Sequence, residues 1–123
     1  MKITLIGDEA LRVEPSGGMM TIEAESSEQA YSPYHMLASG LAACTWYVLQ
    51  SWGANAGISS HDLTIEVTWS FAESPHRVGG IDLQFHWPSL PESRLKAAIR
   101  AAAQCPVHHT LSQAPQITIE AKP

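Results

Sequence analysis

The sequence predicts an α+β fold in a single domain spanning residues 1–123, and three observations carry that prediction. Leu63–Phe71 alternates apolar and polar residues without a break, as a half-buried strand does. The stretch after Ser32 repeats apolar residues at helical spacing for several turns. Glycine and proline clusters cut the remainder into short strands and a second helix.

The opening reads as short antiparallel strands at Ile3–Ile6, Leu11–Glu14 and Met19–Ala24, broken at Gly7-Asp8 and at Pro15-Ser16-Gly17-Gly18. Ser32-Pro33 starts a helix, because serine caps orphan amides and the N–H that proline lacks would be unpaired in the first turn. Leu37, Leu41, Cys44, Val48 and Trp52 share one face of that helix and are its expected buried stripe. Ala38, Ser39, Gly40, Ala42 and Ala43 form a small-residue surface that lets another backbone come close, so a helix crowded on several sides is expected. Gly57 is placed to close the helix in the left-handed conformation.

Beyond it, Leu63–Phe71 is a strand, and Ser74-Pro75-His76 with Gly79-Gly80 turns it into a second alternating run, Ile81, Leu83, Phe85 and Trp87. Ser89-Leu90-Pro91-Glu92 fits a capping box for a second helix through Leu95, Ala98, Ile99 and Ala102, ending near Gln104. Pro106 opens a short third helix capped by Cys105, and Ile117–Glu120 is a last strand.

A chain of 123 residues holds one core, and its 45% apolar and 15% charged content is that of a globular protein. No stretch has the roughly 20 apolar residues of a membrane span, and Met1–Gly7 lacks the form of a signal peptide. A soluble, cytoplasmic protein is expected. Net charge is −5 and the seven basic residues are scattered, so nothing grips a phosphate backbone. Phosphate-binding, dinucleotide, serine-hydrolase and zincin motifs are absent, and no cofactor is expected.

The chemistry rests on Cys44 and Cys105. In a reducing compartment a cysteine pair is more often catalytic or redox-sensing than a structural staple, although free cysteine also packs as an inert small hydrophobe. A cysteine at a helix N-terminus gains thiolate character from unpaired N–H groups, and Cys105 meets that description. Cys44, at a mid-helix apolar position, needs a nearby cation to react. Cys105 with His108 or His109 supplies only part of a zinc site, so no metal is expected. His35, His61, His76 and His86 read as structural. Trp46, Trp52, Trp69 and Trp87 read as core, and with Tyr47 they are able to line an apolar pocket around Cys44.

Through Ser32-Pro33-Tyr34-His35-Met36-Leu37, Leu41-Ala42-Ala43-Cys44 and Cys105-Pro106-Val107, the chain resembles the osmotically inducible protein C and organic hydroperoxide resistance family. The order of elements matches as well. The resemblance implies an OsmC-like fold, with antiparallel sheets wrapped around long central helices in an intertwined homodimer and a site at the subunit interface. It implies that Cys44 attacks an organic hydroperoxide, that Cys105 resolves the sulfenic acid as a disulfide, and that an external dithiol reduces it. It assigns Arg12, the arginine of the N-terminal meander, as the assisting cation, and Tyr34, Leu41 and Tyr47 as substrate contacts. The chain departs from peroxidase members at Tyr34, where they usually carry a glutamate that orients the arginine. That departure keeps two alternatives open: a non-enzymatic homologue binding a small apolar or acyl ligand, and a structural dimer with inert cysteines.

Overall fold

The computed structural model describes residues 32–123 throughout and, before them, the backbone of two short strands. The chain divides into two compact units, residues 1–30 and 31–123. In the first, β1 (Ile3–Leu5) pairs antiparallel with β2 (Leu11–Val13), Thr4 facing Arg12. The third strand expected at Met19–Ala24 lies outside the described residues, as does the side chain of Arg12.

The second unit is organised by α1 (Pro33–Asn55). Ser32 caps it, its hydroxyl accepting the His35 N–H at 3.3 Å while His35 Nδ1 accepts the Ser32 N–H at 3.3 Å. A histidine thus closes the capping box that glutamate or glutamine normally closes. At the other end Gly57 takes φ +72°. The Gly57 N–H then reaches the Ala54 carbonyl at 3.2 Å and the Ile58 N–H reaches Gly53 at 2.8 Å, a Schellman closure.

The buried face of α1 differs from the expected stripe by about one residue of rotation. Ala38, Leu41, Thr45, Leu49 and Gly53 are buried, whereas Leu37 is exposed and Cys44, Val48 and Trp52 are half-buried. The reason is close approach. Small side chains face inward so that bulky partners come near the helix axis, and a Cβ at Gly53 would lie 2.6 Å from Trp87 Cη2. Among the described residues the small-residue surface is not crowded on every side, since a Cβ at Gly40 would meet none of them within 4 Å.

β3 (Thr64–Ala72) and β4 (Arg77–His86) form an antiparallel hairpin. Gly79 and Gly80, expected in its turn, lie instead within β4. Register slips between Ser70 and Phe71, leaving Gly79 as the extra residue of a bulge. A Cβ at Gly79 would stand 2.6 Å from that of Ala72, which explains the glycine. Ile65, Val67 and Trp69 face the same side as Ile81, Leu83 and Phe85.

After a single 3-10 turn at Glu92–Arg94, α2 runs Leu95–Ala102 and α3 runs Pro106–Ser112. The capping box expected at Ser89 does not form. The Ser89 hydroxyl is taken by Asp62 Oδ1 at 2.7 Å and the Ser59 carbonyl at 3.1 Å, so it pins the β4–α2 connection to the loop before β3. Among the described residues the strand expected at Ile117–Glu120 finds no pairing: residues 113–123 join no ladder there, and Ile117 and Ile119 are 80% and 92% exposed.

Leu49, Leu63, Trp87 and Ala98 are the buried core, wrapped by Trp46, Trp52, Ile58, Ile65, Phe85, Leu90 and Ala102. Two indoles satisfy their N–H groups on loop carbonyls, Trp46 on Leu63 at 3.1 Å and Trp87 on Ser59 at 2.9 Å. The Arg94 guanidinium stacks over Trp52 at 5.4 Å. Burying a side chain such as Leu49 contributes about 1.5–3 kcal/mol. These contacts fix α1 against the hairpin and both short helices.

Candidate active site

Cys44 sits midway along α1, beside the buried seam, and Cys105 caps the N-terminus of α3. Gln104 and Cys105 complete the turn that leaves α2, and Pro106 fits the first helical position. Cys105 is fully buried, whereas Cys44 is half-buried. Both are free cysteines, and the packing of α3 on α1 brings them near enough for each to perturb the ionisation of the other.

The two sulfurs are not equivalent. The Cys105 Sγ accepts the His108 N–H at 3.4 Å. Burial pushes the Cys105 thiol up, but hydrogen bonds from the Cys44 thiol, the His108 N–H, the Thr45 hydroxyl and the Val107 N–H outweigh it, so its pKa falls below the usual thiol value. Cys44 moves the other way. Burial raises its pKa first, donation of its proton to Cys105 raises it further, and the Val107 N–H only partly counters both. Of the two thiols, Cys105 is therefore the one that ionises first, and Cys44 keeps its proton to higher pH.

Among the described residues no cationic side chain is among the groups that set either thiol. Arg12, proposed from the resemblance, has a side chain outside the described residues. Tyr34 does not take the place of a charged partner. Its ring packs edge-on against Phe71 at 4.9 Å, about 15 Å along the helix axis from Cys44 at the α-helical rise. Tyr47 is half-buried and edge-on to Trp46 at 5.4 Å. Leu41 is buried and lines a cavity of about 430 Å³ with Leu37, Val78, Ile81, Leu83 and Leu111. A second cavity of about 440 Å³ is lined by Thr45, Phe85, Leu95, Ile99 and Ala102. His108 and Leu83 border both, and the linings are largely apolar. Among the described residues no cluster of histidine, cysteine and carboxylate side chains is able to hold a metal ion, and no helix is long and apolar enough to cross a membrane.

Sequence reasoning missed Thr45. It is the residue after Cys44, it is 3% exposed, and its hydroxyl donates to the Leu41 carbonyl at 2.9 Å. The Leu41–Thr45–Leu49–Gly53 spacing would have exposed it as a polar residue on a buried seam. The amides of Val107 and His108 are backbone groups and leave no side-chain signal.

Residues 25–120 match the model of the family described as OsmC-like protein. The chain belongs to the OsmC-like proteins. Its fold is that of solved OsmC-like structures. A Psychrobacter arcticus 273-4 protein named for osmotic stress induction and detoxification response superposes with a TM-score of 0.62 at 27% identity, covering 68% of this chain and 62% of that one. The OsmC-like protein of Mycoplasma pneumoniae gives 0.60 at 26% identity, over 75% and 70% of the two chains. The organic hydroperoxide resistance protein OhrB of Bacillus subtilis gives 0.60 at 21% identity, over 71% and 67%, a likeness of fold. This OsmC-like chain thus spans just under two thirds of the length of the Psychrobacter protein. No curated protein sequence matches it.

Proposed function

We propose that this OsmC-like protein reduces organic hydroperoxides with its own thiols. One observation carries the reading: two cysteines remote in sequence lie near enough to perturb each other, and their pKa values move in opposite directions. Perturbed, mutually coupled groups of this kind are a mark of reactive sites. The names of solved neighbours, which speak of hydroperoxide resistance and detoxification, support the same redox role.

The proton arrangement suggests a sequence. The Cys105 thiolate takes the Cys44 proton as the peroxide arrives, and the half-buried Cys44 sulfur, the more accessible of the two, attacks the distal peroxide oxygen. The O–O bond breaks, the alkoxide takes the proton back from Cys105 and leaves as an alcohol, and Cys44 becomes a sulfenic acid. The Cys105 thiolate then attacks the Cys44 sulfur, and hydroxide leaves as water with a solvent proton. An external dithiol returns the disulfide to two thiols by exchange. Arg12 or His108 assists the ionised states, and the largely apolar linings around Leu41 and Phe85 suit an organic substrate. Tyr34 and Tyr47 act as further substrate contacts.

The working unit in this reading is a cytoplasmic homodimer. The exposed row of Ile117 and Ile119, alternating with Thr118 and Glu120, favours pairing with a second copy, which would cover it. Turnover of cumene or tert-butyl hydroperoxide with a dithiol tests the chemistry. Loss of activity in both Cys44→Ser and Cys105→Ser is expected, and equal turnover in all three proteins would refute it.

A second reading is a non-enzymatic homologue that binds a small apolar or acyl ligand. The raised Cys44 pKa and the packing of Tyr34 on Phe71 favour it. Mass spectrometry after peroxide treatment separates the two. A catalyst yields a Cys44–Cys105 disulfide, and a binder keeps its thiols.

A further inference from the structure

The box that starts α1 is closed by a ring that titrates. His35 Nδ1 accepts the Ser32 N–H at 3.3 Å and lies 2.8 Å from the Ser32 hydroxyl, which in turn accepts the His35 N–H at 3.3 Å. Accepting an N–H requires a lone pair on Nδ1, so in this arrangement the ring proton sits on Nε2. The glutamine of an ordinary box never titrates, and a glutamate accepts in its charged form. Histidine behaves in the opposite way. A second proton, on Nδ1, removes the acceptor, and histidine is the side chain that takes one up between about pH 5 and 8. The imidazolium also puts a positive charge at the positive end of a 23-residue helix whose first turn has no acidic residue.

We propose that the Ser32–His35 box is an acid-released latch on the first cavity: protonation of His35 frees the Ser32 N–H, and the first turn of α1 loosens from the hairpin. This end of α1 carries Leu37 and, one turn on, Leu41 into the cavity wall. Two ring contacts to β3 also fasten it, His35 edge-on to Trp69 and Tyr34 edge-on to Phe71, both at 4.9 Å. Among the described residues the charged groups at this corner belong to the hairpin turn: His76, stacked on Phe71 at 4.9 Å, Glu73, bonded to His76 at 2.9 Å, and Arg77, whose guanidinium donates to the Glu73 and Pro75 carbonyls. A protonated His76 strengthens its pair with Glu73, so it opposes the loosening rather than producing it. The direction in pH follows from the box itself. The neutral ring makes its bond only in the folded protein, so the stabilisation is complete above the unfolded histidine value of about 6.5 and fades as pH falls below it. Neither sulfur takes part, and the latch stands apart from the thiol reading.

The test compares the parent, His35→Gln and His35→Ala by melting temperature and amide exchange between about pH 5 and about pH 8. Glutamine keeps an uncharged acceptor at every pH, and alanine has none. The parent is expected to match His35→Gln near the upper limit and to fall below it by about 2–4 °C near the lower one, the scale of a lost cap in a domain of this size, where it meets His35→Ala. The other histidines are common to all three proteins and cancel in the difference. Deuterium uptake over residues 32–37, corrected for intrinsic exchange, is expected to quicken about two- to fivefold in the parent at the acid end and to stay level in His35→Gln. Circular dichroism establishes that each variant is folded, and the parent-to-glutamine comparison suffices if alanine is not accommodated. A parent that tracks His35→Gln at every pH would overturn the latch. So would a gap in melting temperature with uptake over 32–37 unchanged, because the first turn would then not be the part that yields. Turnover of peroxide is not read, so an inactive enzyme leaves this result in place.

Discussion

Replacing Gly53 by alanine sets two known effects against each other, and the structure decides between them. Alanine is favoured over glycine in a helix interior by about 1 kcal/mol. At position 53 the new Cβ would lie 2.6 Å from Trp87 Cη2, 3.0 Å from Cζ2 and 3.1 Å from the Ile58 carbonyl oxygen. None of the three yields easily. Trp87 is 6% exposed, its N–H is held by Ser59 at 2.9 Å, and its ring meets Trp52 edge-on at 6.1 Å. Ile58 belongs to the Schellman closure through its bond to Gly53. Overpacking of such a site costs about 1–3 kcal/mol, more where a rigid ring and a backbone atom are both hit. The balance is a net loss of about 1–2 kcal/mol. With a slope of about 1–3 kcal/mol per molar, the urea midpoint falls by about 0.3–2 M. Far-ultraviolet circular dichroism at fixed protein concentration is the proper probe, because tryptophan fluorescence would report the displaced ring itself. A midpoint equal to or above the parent's would refute the claim that Trp87 is locked against the helix.

Gly40→Ala is the converse case: its Cβ would meet none of the described residues within 4 Å, so urea denaturation should show a gain of about 1 kcal/mol. A loss there would show that surface to be covered in the folded protein. Slight burial raises the Asp62 carboxyl, but hydrogen bonds from the Ser89 hydroxyl and N–H and the nearby His61 outweigh it and hold the pKa below the usual carboxylate value. The stabilisation this represents is present above the unfolded value of about 3.9 and disappears as pH falls through the lower folded value. Asp62→Ala should therefore lower the melting temperature at neutral pH and converge with the parent in strong acid. In the native protein a thiolate titration should show two separated steps, one lowered and one raised from the ordinary thiol position, and Cys105→Ser should abolish the lower step.

Local rules made much of this fold legible. Ser32-Pro33, Gly57 and Cys105-Pro106 mark helix ends by stereochemistry that acts within a few residues, and α1, β3 and α3 follow them. The errors arise where a distant group intervenes. Ser89 reads as a cap until Asp62, on another loop, claims its hydroxyl. Gly79-Gly80 reads as a turn until the facing Ala72 makes it a bulge. The seam of α1 turns toward Thr45 and Gly53 because Trp87 approaches there, which no periodicity within the helix records. The candidate site divides in the same way. The low pKa expected of Cys105 follows from its place before Pro106, and the need of Cys44 for help follows from its mid-helix position. The burial of Thr45 depends on which way the helix faces, and that is a tertiary fact.

The extra residue in β4 reaches further than the local irregularity suggests. By offsetting the parity of the strand it sends Val78 to the same side as Ile81 and Leu83, and the Val78–Ile81 stretch becomes one wall of the first cavity. Neither α1 nor α3 takes part in that offset. The width and grain of the wall therefore follow from the register of a hairpin, while α1 and α3 supply Leu37, Leu41, His108, Leu111 and Ser112 to the same lining.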